Sequence, residues 1–159
     1  MRSSGPPPAG SEIRDPFNLR RFVEAQSNDF GQALAELRAG QKRGHWIWYI
    51  FPQVRGLGIS SMSHFYGIGS LPEAKAYLAH PVLGPRLSEC IAAIELHKDL
   101  SAERILGPLD AMKFRSCLTL FAAAAEGASI FSKALSQFFG GQQDQRTLEL
   151  LAQARGERA

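Results

Sequence analysis

No apolar run in this sequence reaches the roughly 20 residues needed to cross a bilayer as a helix, so a membrane-spanning role is not expected. Only two cysteines are present, Cys90 and Cys117, and neither belongs to a CxxC or Cys/His spacing. That excludes the common zinc and dithiol frameworks and leaves two small hydrophobes on helical stretches, with a disulfide between them left open. There is no Walker pattern, no dinucleotide GxGxxG, no nucleophile elbow and no metal-binding cluster. No internal repeat or heptad run occurs, which argues against a solenoid or a coiled coil. The segment Met1–Ser11 lacks the apolar stretch of a secretory signal, so the expectation is a soluble, cytoplasmic protein of bacterial type. Acidic residues are missing altogether between Glu36 and Glu73.

What is present suits one domain. The 159 residues carry ordinary globular proportions of apolar and charged side chains, enough to bury a core without metal or disulfide support. The net charge of +3 permits an anionic partner, but it is too mild to identify a nucleic-acid binder without a clustered basic face.

The expected fold is all-α: a compact single-domain array of about eight short helices over residues 15–155, after a flexible Pro/Gly/Ser-rich tail over 1–14. Asp15-Pro16 reads as a helix start, with Phe17, Leu19, Phe22 and Val23 on its apolar side. A second helix is expected from Asp29, as cap, to Ala39, ended by Gly40. The stretch His45–Phe51 is apolar almost all round; periodicity does not separate helix from strand there, and helix is preferred because its neighbours are helical. Pro52 stops it. Ser70–Glu73 is a capping-box pattern opening a helix to Ala79. Helices then follow from His80-Pro81 to His97, over Ser101–Leu106, Pro108–Ala125, Ser129–Phe139 and Asp144–Ala154.

Four constellations could carry chemistry. The acid-free interval holds Arg38, Lys42, Arg43, Arg55, His45 and His64, an unopposed positive segment that favours an anionic neighbour. Within it, Arg55-Gly56-Leu57-Gly58-Ile59-Ser60 puts two glycines and an N-cap serine before a short helix, Ser60–Tyr66. Backbone at such a turn can approach a phosphate or carboxylate closely, and Arg55 can add a bidentate contact. The same turn can equally serve structure alone. On Pro108–Ala125, the apolar positions Leu109, Met112, Phe114, Cys117, Leu118, Leu120 and Phe121 surround the helix, which is therefore expected to be buried. It nonetheless carries Asp110, Lys113, Arg115, Ser116 and Thr119. Such groups must pair internally or face a cavity, and the sequence does not choose between these. Trp46, Trp48, Tyr49, Phe51 and Tyr66 are mostly expected in the core, with one at a pocket mouth. His45 borders both the aromatic run and the basic interval.

Several stretches together resemble a known family: DPFNLRRFVEAQ, HWIWYIFPQVRGLGISSMSHFYGI, EAKAYLAHPVLGPRL, DAMKFRSCLTLFAAAA and FFGGQQDQRTLELL. In order and spacing they are similar to the bacterial family of domains of unknown function DUF1810, over Asp15 to Leu151. The resemblance implies an all-helical, free-standing domain and assigns no activity or catalytic residue. Some members carry the label calpastatin, but inhibitors of that type are long, disordered and repetitive, unlike this chain. The motifs include His45, Trp46, Trp48, Pro52, Gln53, Arg55, Gly56, Gly58 and Tyr66 in one block, and Lys113, Arg115 and Ser116 in another.

The leading expectation is a pocket for a small phosphate-bearing, nucleotide-like anion, with hydrolase or transferase chemistry as an extension. Arg55, Gly56, Gly58 and Ser60 would hold the anion, and Lys113, Arg115 and Ser116 would form the opposite wall. Gln53 and Tyr66 would orient the ligand, Trp48 would stack, and His45 would be the acid/base group. That the two blocks face one another is a reading of the residues, not of the family. No cofactor and no metal are expected. The alternatives are a non-catalytic interaction or regulatory module, which requires an exposed apolar patch, and, ranked last, a nucleic-acid binder with Arg38, Lys42, Arg43 and Arg55 on one exposed face.

Overall fold

The computed structural model of the chain describes residues 14–158, with side chains through residue 154. The tail expected over 1–14 lies outside the described residues apart from Arg14. Nine helices occur among the described residues: α1 Arg20–Ala39, α2 Ile47–Ile50, α3 Ser61–Phe65, α4 Leu71–Ala79, α5 Leu83–Glu95, α6 Ala102–Leu106, α7 Pro108–Ala125, α8 Ile130–Phe139 and α9 Gln145–Arg158. The all-α expectation holds. Among the described residues, strand-type pairing outside the helices is a parallel bridge between Val54 and Ile68.

The first two expected helices are one. Nothing between Glu24 and Asp29 breaks a helix, and Phe22, Gln26, Ala33, Leu34 and Leu37 form one continuous buried stripe along α1. Asp29 caps nothing; its carboxylate accepts the Tyr49 hydroxyl proton instead. Asp15 does serve the helix start, but from a distance. Its two carboxylate oxygens accept from Leu19 N at 2.8 Å and Arg20 N at 3.0 Å, across a turn in which Asn18 takes a left-handed φ of 52°.

Later termini follow the expected chemistry. Ser60, Ser70, Ser101 and Ser129 each accept a backbone N–H from the residue three positions on. His80 Nδ1 accepts from Val82 N and Leu83 N at the start of α5. The expected box at Ser70 is only half made: Glu73 turns its carboxylate to Gly69 N and to Arg21.

Helix α7 is the central element. It packs against α4, α6 and α8, and more lightly against α2 and α9. Phe114, Cys117, Leu118, Leu120 and Phe121 on it are fully buried. The expectation of an all-round buried helix fails only at its first turns, where Leu109 and Met112 are 74% and 68% exposed. Helix α1 lies against α5 and α2. Both cysteines are buried and free.

Candidate functional site

Part of the acid-free interval, Val54 to Ile68, becomes a closed loop. Arg55 N donates to Ile68 O at 2.8 Å and Ile68 N donates to Gln53 O at 2.9 Å, so the residues between Val54 and Ile68 leave and rejoin the body at one point, in the manner of an Ω-loop. The loop carries α3, and none of that helix's residues is buried. Two arginines hold the loop down. Gly67 is required at the closure, because a Cβ there would stand 2.7 Å from Arg55 Cα.

Arg21, from α1, is the deeper of the two. An arginine has five N–H donors, and here all five are used. Nε donates to Phe65 O at 2.7 Å, Nη1 to Phe17 O and Asn18 O, and Nη2 to Gly67 O and to Glu73 Oε2 at 2.8 Å. The Arg21–Glu73 pair is buried on both sides. One guanidinium thereby fixes the turn before α1, the end of α3 and the start of α4.

Arg55 lies above it and is exposed. Its Nε donates to His64 O at 3.2 Å and its Nη2 to Gly67 O at 2.9 Å, which leaves three of the five donors without a partner among the described residues. It forms no ion pair among the described residues. Two guanidinium groups thus share the Gly67 carbonyl, and the one carboxylate between them, Glu73, is already paired with Arg21.

Arg55 opens onto two hollows. The larger, about 380 Å³, is walled by Pro16, Phe17 and Asn18 on one side and by His64 and Phe65 on the other, with Arg21 and Glu73 below. The second, about 240 Å³, lies between Arg55, Gly69 and the α9 residues Leu150 and Gln153. The larger falls within the range of small-molecule sites, about 300–1,000 Å³.

The family model described as "Protein of unknown function (DUF1810)" matches residues 16–151, nearly the whole of the described chain. The chain belongs to this family. It is also similar to a solved structure, the crystal structure of the conserved hypothetical protein Rv1873 from Mycobacterium tuberculosis. The identity is 50% and the TM-score 0.85, over 87% of this chain and 99% of that one. No curated protein matches. Among the described residues, no helix is long and apolar enough to cross a membrane.

Within this DUF1810 chain, the residues anticipated from sequence fall into separate groups. Trp48, Gln53, Gly58 and Tyr66 do meet, with Leu57 and Ser63, but around a cleft of about 10 Å³, room for about one water. Burial raises the Tyr66 hydroxyl pKa above its usual value, outweighing the nearby Arg21 charge. Ser60 is occupied as the α3 cap, accepting from Ser63 N at 3.1 Å. Gly56 takes a φ of 107° and packs under Leu150. His45 is exposed, lines none of these hollows, and its ring makes no hydrogen bond among the described residues.

The second block faces elsewhere. Lys113 Nζ is 3.5 Å from Asp110 and lies 4.9 Å from the centre of the Trp48 ring. Arg115 approaches Asp144 at 4.0 Å, and the Ser116 hydroxyl donates to the same carboxylate at 3.1 Å. Thr119 Oγ1 accepts from Asp144 N at 2.9 Å. This network seats the start of α9 on α7. Lys113, Arg115 and Ser116 line neither hollow that opens on Arg55, so the structure does not set the two blocks across a common cavity. The basic face that nucleic acid would require is also not assembled. The Lys42 side chain is 8% exposed and 2.8 Å from Asp110, and Arg38 faces Glu89 at 3.5 Å.

Phe17, Arg21, Phe65 and Glu73 were not singled out as site residues from sequence. Arg21 reaches Phe65 and Glu73 across 44 and 52 positions, so no local pattern reveals that they meet. The one available signal is Arg21 itself, a cation set between apolar Leu19, Phe22 and Val23.

Proposed function

We infer that this protein binds a small phosphate-bearing anion in the hollow below Arg55. The observation that carries this reading is the state of the Arg55 guanidinium. It is oriented by two backbone carbonyls, has no carboxylate partner among the described residues, and keeps three donors free at the edge of a ligand-sized cavity. A cation held in this way has already lost much of its side-chain freedom, so less of the binding energy is spent on ordering it. It also presents the planar fork that suits phosphate. His64, which lines the same hollow, adds a ring N–H as a second donor.

The test is a phosphate titration followed by thermal unfolding. Ligand that binds only the folded state raises the melting temperature by mass action. The wild-type chain and an Arg115→Gln variant should both respond, since Arg115 lies in the α9 network, and Arg55→Gln should not. A response retained in Arg55→Gln, or none in the wild type, overturns the reading.

A second reading is favoured by a different observation. Helix α3 buries nothing, and Ile59 and Met62, 105% and 37% exposed, project from the loop without lining the Arg55 hollows. An exposed apolar pair on a pinned loop, one residue before α3 and one on it, suits a protein-interaction role. The double variant Ile59→Ser/Met62→Ser should leave phosphate binding unchanged. A partner retained by the wild-type chain and released by this variant supports the interaction reading, and retention by both removes it.

A further inference from the structure

We propose that the anion bound at Arg55 is one end of an aromatic phosphate monoester, whose planar ring lies against Phe65. The proposal rests on the phosphate reading above and names the class of ligand for that site.

Three features of the hollow point to this class. The first is size. At about 380 Å³ the space far exceeds what a bare oxyanion fills and matches sites that hold an organic body. The second is the division of its polarity. The floor is polar but closed: Arg21 has spent every donor, and Glu73 is taken by Arg21 and by Gly69 N. Unspent cationic donors are therefore offered by Arg55 alone, with the His64 ring beside it. A second charged group elsewhere on the ligand would meet no free partner and would lose its hydration.

The third feature is the apolar part of the lining, supplied by Pro16, Phe17 and Phe65. Phe65 is 51% exposed, yet it is not loose. Its backbone carbonyl is held by Arg21 Nε at 2.7 Å, and its ring stands edge-on to Tyr66, with centroids 4.8 Å apart and planes at 82°. An aromatic ring fixed on one side and open on the other is a stacking platform. Phe17 is held in the same way through its own carbonyl on Arg21 Nη1. Arg21 is thus a positioning residue for both ring-bearing walls.

Stacking of a planar ring on an aromatic side chain should tighten binding roughly 10-fold or more. The experiment is calorimetric titration with three probes: inorganic phosphate, phenyl phosphate and cyclohexyl phosphate, the last matching the ring in size without its flatness. Wild type should bind phenyl phosphate about 10-fold tighter than either of the others. Phe65→Ala should abolish that preference. The substitution removes an exposed ring, so the fold should persist, as an unchanged circular dichroism spectrum would show.

If inorganic phosphate binds through Arg55 but phenyl phosphate gains nothing over cyclohexyl phosphate, the proposal is overturned and the phosphate reading stands. Survival of the preference in Phe65→Ala overturns the proposal in the same way. If no probe binds, or Arg55→Gln binds all of them as wild type does, both fail together.

Discussion

Substituting Glu36 by Gln should cost about 3 kcal/mol of stability at pH 7, and less in acid. Three donors converge on Glu36 Oε1: Arg43 N at 2.8 Å, Gly44 N at 3.0 Å and Trp46 Nε1 at 2.9 Å. Gln32 Nε2 reaches Oε2 at 2.8 Å. Burial alone would raise the Glu36 pKa, but these hydrogen bonds to the ionised form prevail and bring it from 4.5 down to about 2. A depressed carboxylate stabilises the folded chain fully above its unfolded pKa, and that stability is lost as pH falls through the folded value. The difference of roughly 2.5 units corresponds to about 3 kcal/mol. At pH 3, one unit above the folded pKa, about 1.4 kcal/mol should remain. Glutamine keeps an acceptor oxygen for the three donors on Oε1 and removes the charge, and Gln32 can turn its amide to accept from the new N–H group. Urea unfolding at pH 7 and pH 3, followed by tryptophan fluorescence, reads it directly, since Trp46 is one of the donors. An equal loss at both pH values would show that the charge of Glu36 is not what stabilises the fold.

Other outcomes follow from the same geometry. Arg21→Met should destabilise by roughly 3–5 kcal/mol, because it leaves the buried Glu73 carboxylate without its cation; a denaturant midpoint within experimental error of wild type would contradict this. Gly67→Ala should destabilise the loop closure, where the added methyl meets Arg55 Cα at 2.7 Å; faster amide exchange at Arg55 and Ile68 would report it. Cys90 and Cys117 should stay unreactive toward a thiol reagent at pH 8 until the chain unfolds, since both are buried and burial raises their thiol pKa values, that of Cys90 to about 12.

Much of the fold could be read from local chemistry. Serine caps at 60, 70, 101 and 129, glycine at 40 and the all-round apolar pattern of α7 each act within a few residues, and each appears at the position its local pattern indicates. Asp29 misled because a carboxylate in mid-helix has the same local look as a cap, and its true partner is the distant Tyr49. The site was legible in part. Arg55 stood out as a cation without acidic neighbours in the chain, and in three dimensions it still has no carboxylate partner among the described residues. Arg115 looked similar, yet the distant Asp144 comes close enough to answer it, whereas Lys113 has Asp110 three residues away and that local pair does form. Which cations are answered depends on tertiary pairing, and sequence spacing does not encode that. Arg21 and Glu73 were hidden for the same reason.

The phosphate reading meets its sharpest test in a crystal soaked in tungstate, a heavy oxyanion of phosphate charge and shape. An anomalous peak is expected within hydrogen-bonding distance of the Arg55 guanidinium, on the side facing Phe65, and should vanish in Arg55→Gln. Tungstate ordered instead between Lys113 and Arg115, with none at Arg55, would overturn the assignment of the anion to Arg55.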